Sequence, residues 1–275
     1  NMKKCSAILV ILGILLSVFI IPGCKKDHGE KPEIPPSSSF LMNFSDIDST
    51  HVPGKFLKLA GIDSTGDYSN FIFSAGNVFV WNVIITIGLA VPVASFVNSF
   101  NYTAEWDNHE DAWFWKYDFT VWATYSAKLK AKVTGSQVHW EMYISKQSDF
   151  QNFIWYQGDS RLDNTEGTWT LYDNPISNKT LLGIVWHNNV SGGTSDITYT
   201  NIVPGGAENG GYISYGITTD TTYNAYYNIY NKGQNNLTNI KWNRVNKNGQ
   251  VRDSLHFGNF DWHCWDVDYS NVTCQ

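Results

Sequence analysis

Apolar and polar residues alternate along the second half of the chain with the period of two that is typical of a half-buried β-strand. In residues 117–134, YDFTVWATYSAKLKAKVT, every odd position is apolar or aromatic, and every even position except Trp122 is polar. A single strand of this length would reach about 60 Å, far beyond ordinary strand lengths. We therefore predict two strands, or one strand bent around a curved sheet, with the break near Ser126.

The alternation continues after this segment, and turn signals separate the successive strands. The Asn248-Gly249 pair within NKNGQ is the strongest of these hairpin signals. The further predicted strands are VHWEMYIS, FIWYQGDS, GTWTLYD, LLGIVWHN, DITYTNIV, GYISYGIT, YNAYYNIY, TNIKWNRV and QVRDSLHF. Short connections between such strands predict an antiparallel meander. We expect a mainly all-β domain over residues 40–275, with about ten strands in residues 113–260 forming an up-and-down barrel or a curved half-barrel.

One uncharged apolar stretch, residues 77–97, is as long as a membrane span. Three interpretations are open: a transmembrane helix, a helix buried against the sheet, and two buried strands. The chain also opens with an apolar segment, so a transmembrane helix here would be a second span and would return the sheet to the cytoplasm. A helix that is apolar nearly all round is typically buried. We favour a buried helix over residues 77–98, which Pro92 would bend or whose last turn it would start. Its weakly polar stripe makes Asn82 and Thr86 candidates for ligand binding.

The chain opens with Lys3 and Lys4 followed by an apolar core, the pattern of a secretory signal. The alternative is an uncleaved N-terminal anchor. The sequence IPGC at Ile21–Cys24 resembles the lipobox of bacterial lipoproteins. That resemblance implies a signal peptide at residues 1–23 and a lipid on Cys24 that holds the protein on a membrane. Residues 24–39 then read as a flexible tether, because Pro, Ser and charged residues cannot bury a core.

The Lys26-Asp27 pair partly resembles the export tag of Bacteroidota surface lipoproteins, although His28 stands where a second acid is expected. These resemblances imply a cell-envelope, outer-membrane lipoprotein that is periplasmic or surface-exposed. The formal net charge is -6, which argues against a nucleic-acid partner, because proteins that bind nucleic acid present a basic surface. No cofactor is indicated.

Two cysteines remain in the predicted mature domain, Cys264 and Cys274. An isolated pair in an oxidising compartment most simply forms one disulfide, which would close the C-terminal end at residues 261–275. The alternative is a metal site that includes His263, but two thiols and one imidazole at this separation fall short of zinc-ligand spacing.

The acidic segment AEWDNHEDAW is the main candidate for chemistry, because the chain contains no GxSxG, HExxH, P-loop or GxGxxG motif. Glu105, Asp107, Glu110 and Asp111 could bind a hard cation through oxygen. They could also supply the paired carboxylates of a glycoside hydrolase. The simpler interpretation is a solvated link between the helix and the first strand, so we assign no metal site here.

Most aromatic residues fall on the apolar face of the predicted strands, where they would form the core. Tyr143, Tyr172 and Tyr226 fall on the opposite face and could stack on a sugar. The leading hypothesis is a non-catalytic envelope lipoprotein that binds a small hydrophobic ligand in the curved sheet. The alternatives are a structural or assembly lipoprotein without a ligand, a surface glycan-binding protein and, least favoured, a glycoside hydrolase.

Overall fold

The computed structural model describes residues 29–47 and 67–274, and Lys31–Gln275 form one compact unit. The predicted signal at residues 1–23 and the predicted lipid site, Cys24, lie outside the described residues. The described helices are α1 (Ser69–Gly88), α2 (Ala90–Ser99) and α3 (Ser254–Phe257). The described strands are β1 (Glu105–Asp107), β2 (Ala112–Thr120), β3 (Thr124–Thr134), β4 (Gln137–Lys146), β5 (Phe150–Arg161), β6 (Glu166–Tyr172), β7 (Thr180–Asn189), β8 (Thr194–Asn201), β9 (Tyr212–Ile217), β10 (Ala225–Asn231), β11 (Asn236–Trp242), β12 (Gly249–Arg252), β13 (His263–Trp265) and β14 (Asn271–Val272).

All fourteen strands belong to one sheet in the order of the sequence, from β1 to β14. Each strand pairs with the next in antiparallel register. The predicted all-β meander is confirmed, with three short strands beyond the predicted set: β1, β13 and β14. Since β1 and β14 are the two edges, the sheet is open, and the closed-barrel alternative does not apply.

One face of the sheet carries the core. In β3 the buried positions are Tyr125, Ala127, Leu129 and Ala131, each followed by a more exposed residue, as the period-two pattern requires. The same face of the other strands presents the largest buried side chains. The fully buried tryptophans of the sheet are Trp115, Trp140, Trp169, Trp186, Trp242 and Trp265. This inner face is therefore unusually bulky.

Glycines provide the space for some of these rings. Gly158 lies directly between Trp140 and Trp169 in the register of β4, β5 and β6. A Cβ atom on Gly158 would overlap the Thr168 carbonyl oxygen and lie 2.6 Å from Trp169 Cε3. Gly249 similarly approaches the ring of Trp265. A large residue beside a glycine lets neighbouring strands interdigitate at normal packing density.

The two long helices cover this inner face and connect both ends of the sheet. Helix α2 packs against β2, whereas α1 contacts β12, β13 and β14 and also packs on α2. One pair of adjacent helices can reach both ends of a fourteen-stranded sheet only if the sheet curves around them. The helices thus occupy the concave side.

The predicted apolar helix begins earlier than expected and consists of two helices. Helix α1 ends at Gly88, and Leu89 separates it from α2. Pro92 is the third residue of α2, within the first turn, where a missing N–H leaves no intrahelical bond unmade. Pro92 therefore lies at the start of a second helix and does not bend a single continuous helix. The two-strand interpretation is wrong.

Helix α1 is only partly buried, contrary to the expectation of a helix that is covered on all sides. Its Phe71, Ala75 and Val78 are buried, but Val80 and Ile84 are 57% and 54% exposed. Residues Ser69–Thr86 are long and apolar enough to cross a membrane by length and composition, and a third of that window is buried within the fold. Edge-on contact between the rings of Phe71 and Trp265, with 5.8 Å between centroids, joins the helix to β13.

The compact unit begins at Lys31, within the predicted tether of residues 24–39. The hydroxyl group of Tyr199 donates to the Phe40 carbonyl at 2.8 Å and accepts from the Met42 N–H at 2.8 Å. The Phe40 ring stacks on Phe96 with 4.6 Å between centroids, and both Pro35 and Ser39 are buried. These contacts place the end of the predicted tether in the core.

The predicted strand QVRDSLHF ends after Arg252, because Asp253 begins α3 as its N-cap. The hairpin expected at Asn248-Gly249 is present between β11 and β12, but Gly249 belongs to the strand. Lys247 supplies the left-handed residue of this connection, with φ 67°. The sequence signal therefore located the turn but assigned the wrong role to its glycine.

Cys264 and Cys274 lie at bonding distance, with 2.11 Å between sulfur atoms, in the pairing predicted from their isolation. Cys264 lies on β13 and Cys274 follows β14, so the disulfide closes the hairpin that these two strands form. This hairpin contacts the start of α1. Asn271 accepts from the Asn70 N–H through Oδ1 at 3.1 Å, and Asn70 Nδ2 donates to the Cys264 carbonyl at 3.0 Å. The disulfide thus stabilises the hairpin on which α1 begins.

Replacing both cysteines by serine, C264S with C274S, should lower the free energy of unfolding by about 2–3 kcal/mol, because the unfolded chain regains the entropy of a short closed loop. Denaturant unfolding measures the change. Hydrogen exchange should also accelerate at the first turn of α1 more than in β4. Unchanged unfolding together with unchanged exchange would contradict the assigned role of the hairpin.

Candidate functional site

A cavity of about 940 Å³ lies between α1 and the later strands of the sheet. The residues that α1 contributes fall at helical spacing on one stripe beside the buried stripe of the same helix. They are Phe73, Asn77, Val80, Trp81, Ile84, Ile85 and Gly88, and Leu89 lines the cavity directly after the helix. The apolar surface of α1 is therefore divided between the protein core and a cavity that solvent can reach.

The opposite wall combines polar residues with four aliphatic side chains. Leu181 and Leu182 of β7, Ile229 of β10 and Leu255 of α3 line it. From Phe73 to Leu89 the helical floor is about 24 Å long, at about 1.5 Å per residue. The cavity therefore offers an elongated apolar surface.

Helix α3 contributes to one part of the cavity wall through a contact between rings. The His256 imidazole stacks on the Phe73 ring, with 3.8 Å between centroids and an angle of 9° between planes. Phe257 meets the same Phe73 ring edge-on at 5.5 Å. These contacts join α3 to the early part of α1.

A single buried carboxylate positions α3. Asp253 is only 2% exposed, and its Oδ1 accepts from the His256 N–H at 2.9 Å, which caps the helix. Its Oδ2 accepts from Asn236 Nδ2 at 2.8 Å and from the Thr238 hydroxyl. The acid is a structural anchor, since hydrogen bonds from these three donors engage both of its oxygens.

The polar part of the cavity contains carboxylates and amides. Asp173 Oδ2 accepts from the Ser177 hydroxyl at 2.7 Å, and Glu208 Oε2 accepts from the Gly233 N–H at 3.3 Å. The amide side chains that line the cavity are Asn77, Asn201, Asn231, Gln234 and Asn236. No lysine or arginine lines the cavity among the residues that the structure describes.

Asn82 and Thr86, the ligand candidates on the predicted helix, lie elsewhere. Thr86 Oγ1 donates to Asn82 Oδ1 at 2.9 Å, and both line a separate cavity of about 400 Å³ together with Met42 and Phe44. They do not line the larger cavity, because they project from a different face of α1. Both candidates lie on α1, but on a different face from the one that lines the large cavity.

The three candidate tyrosines lie on the polar face of the sheet, on three separate strands. Tyr143 of β4 lies under the Lys128 ammonium, 4.6 Å from the ring centroid. The Tyr172 hydroxyl of β6 accepts from Gln157 Nε2 at 2.9 Å. Burial raises the pKa of Tyr226 on β10, whose ring fills the space beside Gly216. The three rings therefore do not form a common platform for a sugar.

The acidic segment forms a turn and an ion pair. Asp107 Oδ1 accepts from the His109 N–H at 2.8 Å and the Glu110 N–H at 3.1 Å. The bonds from Glu110 and then His109 lower the pKa of Asp107. Glu110 Oε2 lies 3.2 Å from Lys130 Nζ. Glu105 lies on β1, and Asp111 has a left-handed backbone with φ 54°.

These four acids do not converge on a cation. Within residues 29–47 and 67–274, no group of three or more His, Cys, Asp or Glu side chains is arranged to hold a metal ion. The described part of the chain therefore offers no support for a cation site at Glu105, Asp107, Glu110 and Asp111. The carboxylates of Asp107 and Glu110 make their contacts at the connection that leads into β2.

Sequence reasoning missed Val80, Ile84 and Gly88 as lining residues, because it treated the whole helix as core. Asn77 and Gly88 are the members of this stripe that are not apolar. No protein-family model, curated protein or solved structure matches this chain.

Proposed function

We propose that this chain is a non-catalytic cell-envelope lipoprotein, anchored through Cys24, that holds one elongated amphiphilic molecule in the cavity between α1 and the sheet. The outer membrane is the proposed location, with the domain periplasmic or surface-exposed. The single observation that carries the binding proposal is the cavity of about 940 Å³ with an apolar stripe of α1 as its floor. Pockets for small molecules typically have volumes of about 300–1,000 Å³.

The shape of the cavity supports a chain-like occupant. Its helical floor extends for about 24 Å and presents Val80, Trp81 and Ile84 in succession. A compact ring would cover only part of this floor, whereas an extended hydrocarbon would contact all of it. Because burial of each CH₂ group is worth about 0.8 kcal/mol, an extended chain gains the most from this surface.

The exposure of the floor supports the same proposal. Val80 and Ile84 are more than half exposed, although they adjoin the buried stripe of the same helix. Contiguous exposed apolar surface beside polar groups commonly marks a binding site. The polar groups of the cavity, among them Asn201 and Asn231, would face the polar end of the occupant. An amphiphile satisfies both surfaces, whereas a simple hydrocarbon would leave the amides without partners.

Gly88 gives the sharpest test, because it is exposed and a Cβ atom there meets no other atom within 4 Å. The variant G88W should place an indole in the cavity and weaken binding of decyl glucoside at least tenfold, measured by titration calorimetry below the micellar concentration. A helical glycine tolerates this change, since other residues have higher helix propensity.

Gly76 supplies the matched control on the same helix. A Cβ atom added there would also meet open space, but Gly76 does not line the cavity, so G76W should bind as the unaltered protein does. Residues 31–275, secreted into an oxidising compartment, suit both variants, because they form one compact unit. Native mass spectrometry and solvent extraction of the unaltered protein should also reveal one bound amphiphile. Failure of the unaltered protein to bind, or equal binding by G88W, would contradict the proposal.

A further inference from the structure

The cavity has a negative polar region beside its apolar floor. Asp173, Glu208 and Asp253 contribute carboxyl groups to its lining, and His256 is the lining side chain that can become a cation. The His256 ring is stacked on Phe73, against the apolar floor. The charges of the polar region are therefore those of acids, and an occupant with the same sign of charge would be repelled.

Two of these three acids remain able to act on a ligand. Both oxygens of Asp253 already accept hydrogen bonds within the protein. Asp173 is partly exposed and Glu208 is exposed, and the bond from the Gly233 N–H to Glu208 is long, at 3.3 Å. Each of these two carboxylates keeps acceptor capacity, because a carboxylate offers about four lone-pair sites.

Neighbouring amides offer donors to an oxygen-rich group. Asn201 Oδ1 accepts from the Val203 N–H at 3.0 Å, and Asn231 Oδ1 accepts from the Gln234 N–H at 2.9 Å. These bonds fix the amides with their NH₂ groups as the remaining polar atoms. Neither NH₂ group has a hydrogen-bond partner in the part of the chain that the structure describes. Hydroxyl or ether oxygens of an uncharged polar group could accept from them.

From this arrangement we infer that the cavity takes amphiphiles whose polar end is uncharged or positively charged, and that Asp173 and Glu208 exclude those with an anionic end. The inference rests on the proposed binding function and specifies its ligand class. Neutral glycolipid-like molecules and alkyl amines fit this chemistry. Fatty-acid carboxylates and lipids with a net negative phosphate group do not.

Three probes with ten-carbon chains differ in the charge of the polar end: decyl glucoside is uncharged, decyltrimethylammonium is positive and decanoate is negative. Each probe is titrated below its micellar concentration into the protein of residues 31–275. Far-UV circular dichroism checks that the protein is folded. Decanoate should bind at least about tenfold more weakly than the other two, because its carboxylate is repelled by the carboxylates of the cavity. Added salt should narrow this difference.

The double variant D173N with E208Q should remove most of the discrimination against decanoate while keeping the affinity for decyl glucoside. The matched control, E166Q with D268N, removes two exposed acids that do not line the cavity and should keep the discrimination. Decanoate binding as tightly as decyl glucoside, or a double variant that still discriminates, would overturn the inference and leave the binding function standing. Failure of all three probes would overturn the binding function itself.

Discussion

Replacing Gly158 by alanine is expected to lower the free energy of unfolding by about 3–4 kcal/mol, a large effect for the addition of one methyl group. The new Cβ would overlap the Thr168 carbonyl oxygen and lie 2.6 Å from Trp169 Cε3. Neither group can withdraw easily, because Thr168 belongs to the ladder with β5 and the Trp169 ring is fully buried. The strands would have to separate or the tryptophan would have to leave its site. Denaturant unfolding followed by tryptophan fluorescence measures the loss.

Gly183 is the appropriate control for this variant. It also lies within a strand of the same sheet, but a Cβ atom there would lie 3.5 Å from its nearest neighbour, Ile202 Cγ2, which is an ordinary contact. G183A should therefore change the free energy of unfolding by less than about 1 kcal/mol. Equal effects of G158A and G183A would show that Trp169 does not need the space that Gly158 leaves.

The second large effect is expected at Asp253, where D253A should lower the free energy of unfolding by about 3–5 kcal/mol. The substitution removes the acceptor of the buried Thr238 hydroxyl and of Asn236 Nδ2, and it also removes the N-cap of α3. A buried donor without an acceptor is destabilising by about 1–3 kcal/mol. Because α3 carries Leu255 and His256 of the cavity wall, the variant should also bind decyl glucoside more weakly.

Asp220 is the control for Asp253, because it also accepts hydrogen bonds from backbone N–H groups but is exposed. Its Oδ1 accepts from the Thr222 N–H at 2.7 Å and the Tyr223 N–H at 3.1 Å, in an exposed turn. D220A should therefore be much less destabilising than D253A and should leave ligand binding unchanged. Thermal unfolding and calorimetric titration of both variants test this. A similar loss of stability in both would argue against the anchoring role of the buried carboxylate.

The sheet was predictable from the sequence because alternation reports directly which face of a strand is buried. The position of the first turn was predicted near Ser126, whereas the structure places it at residues 121–123. Phe119 pairs with Tyr125 across this three-residue connection, so odd positions face inward on both strands and the alternation continues through the turn. The exception in the pattern was the true signal: Trp122, the one apolar residue at an even position, lies in the turn and is 72% exposed.

The cavity was less predictable, because the sequence shows that α1 is apolar but not what covers each side. Core packing and ligand binding demand the same residue types, so Val78 and Val80 look alike in sequence although one is buried and the other is exposed. The contribution of α3 to the cavity wall was hidden for another reason. Its four residues, Ser254–Phe257, continue an apparent strand pattern, but Asp253 caps them as a helix and the left-handed Gly258 ends it.

The contacts between α1 and the C-terminal hairpin have a consequence for the order in which the chain can fold. Asn70 and Asn271, joined by a hydrogen bond, are 201 residues apart in sequence, so α1 meets this partner only after the intervening strands have emerged. The intervening hairpins pair locally and can form early, whereas the closure of so long a loop is slow. During that interval both apolar stripes of α1 face water, and a chaperone that shields them would protect the chain from aggregation at its most vulnerable stage.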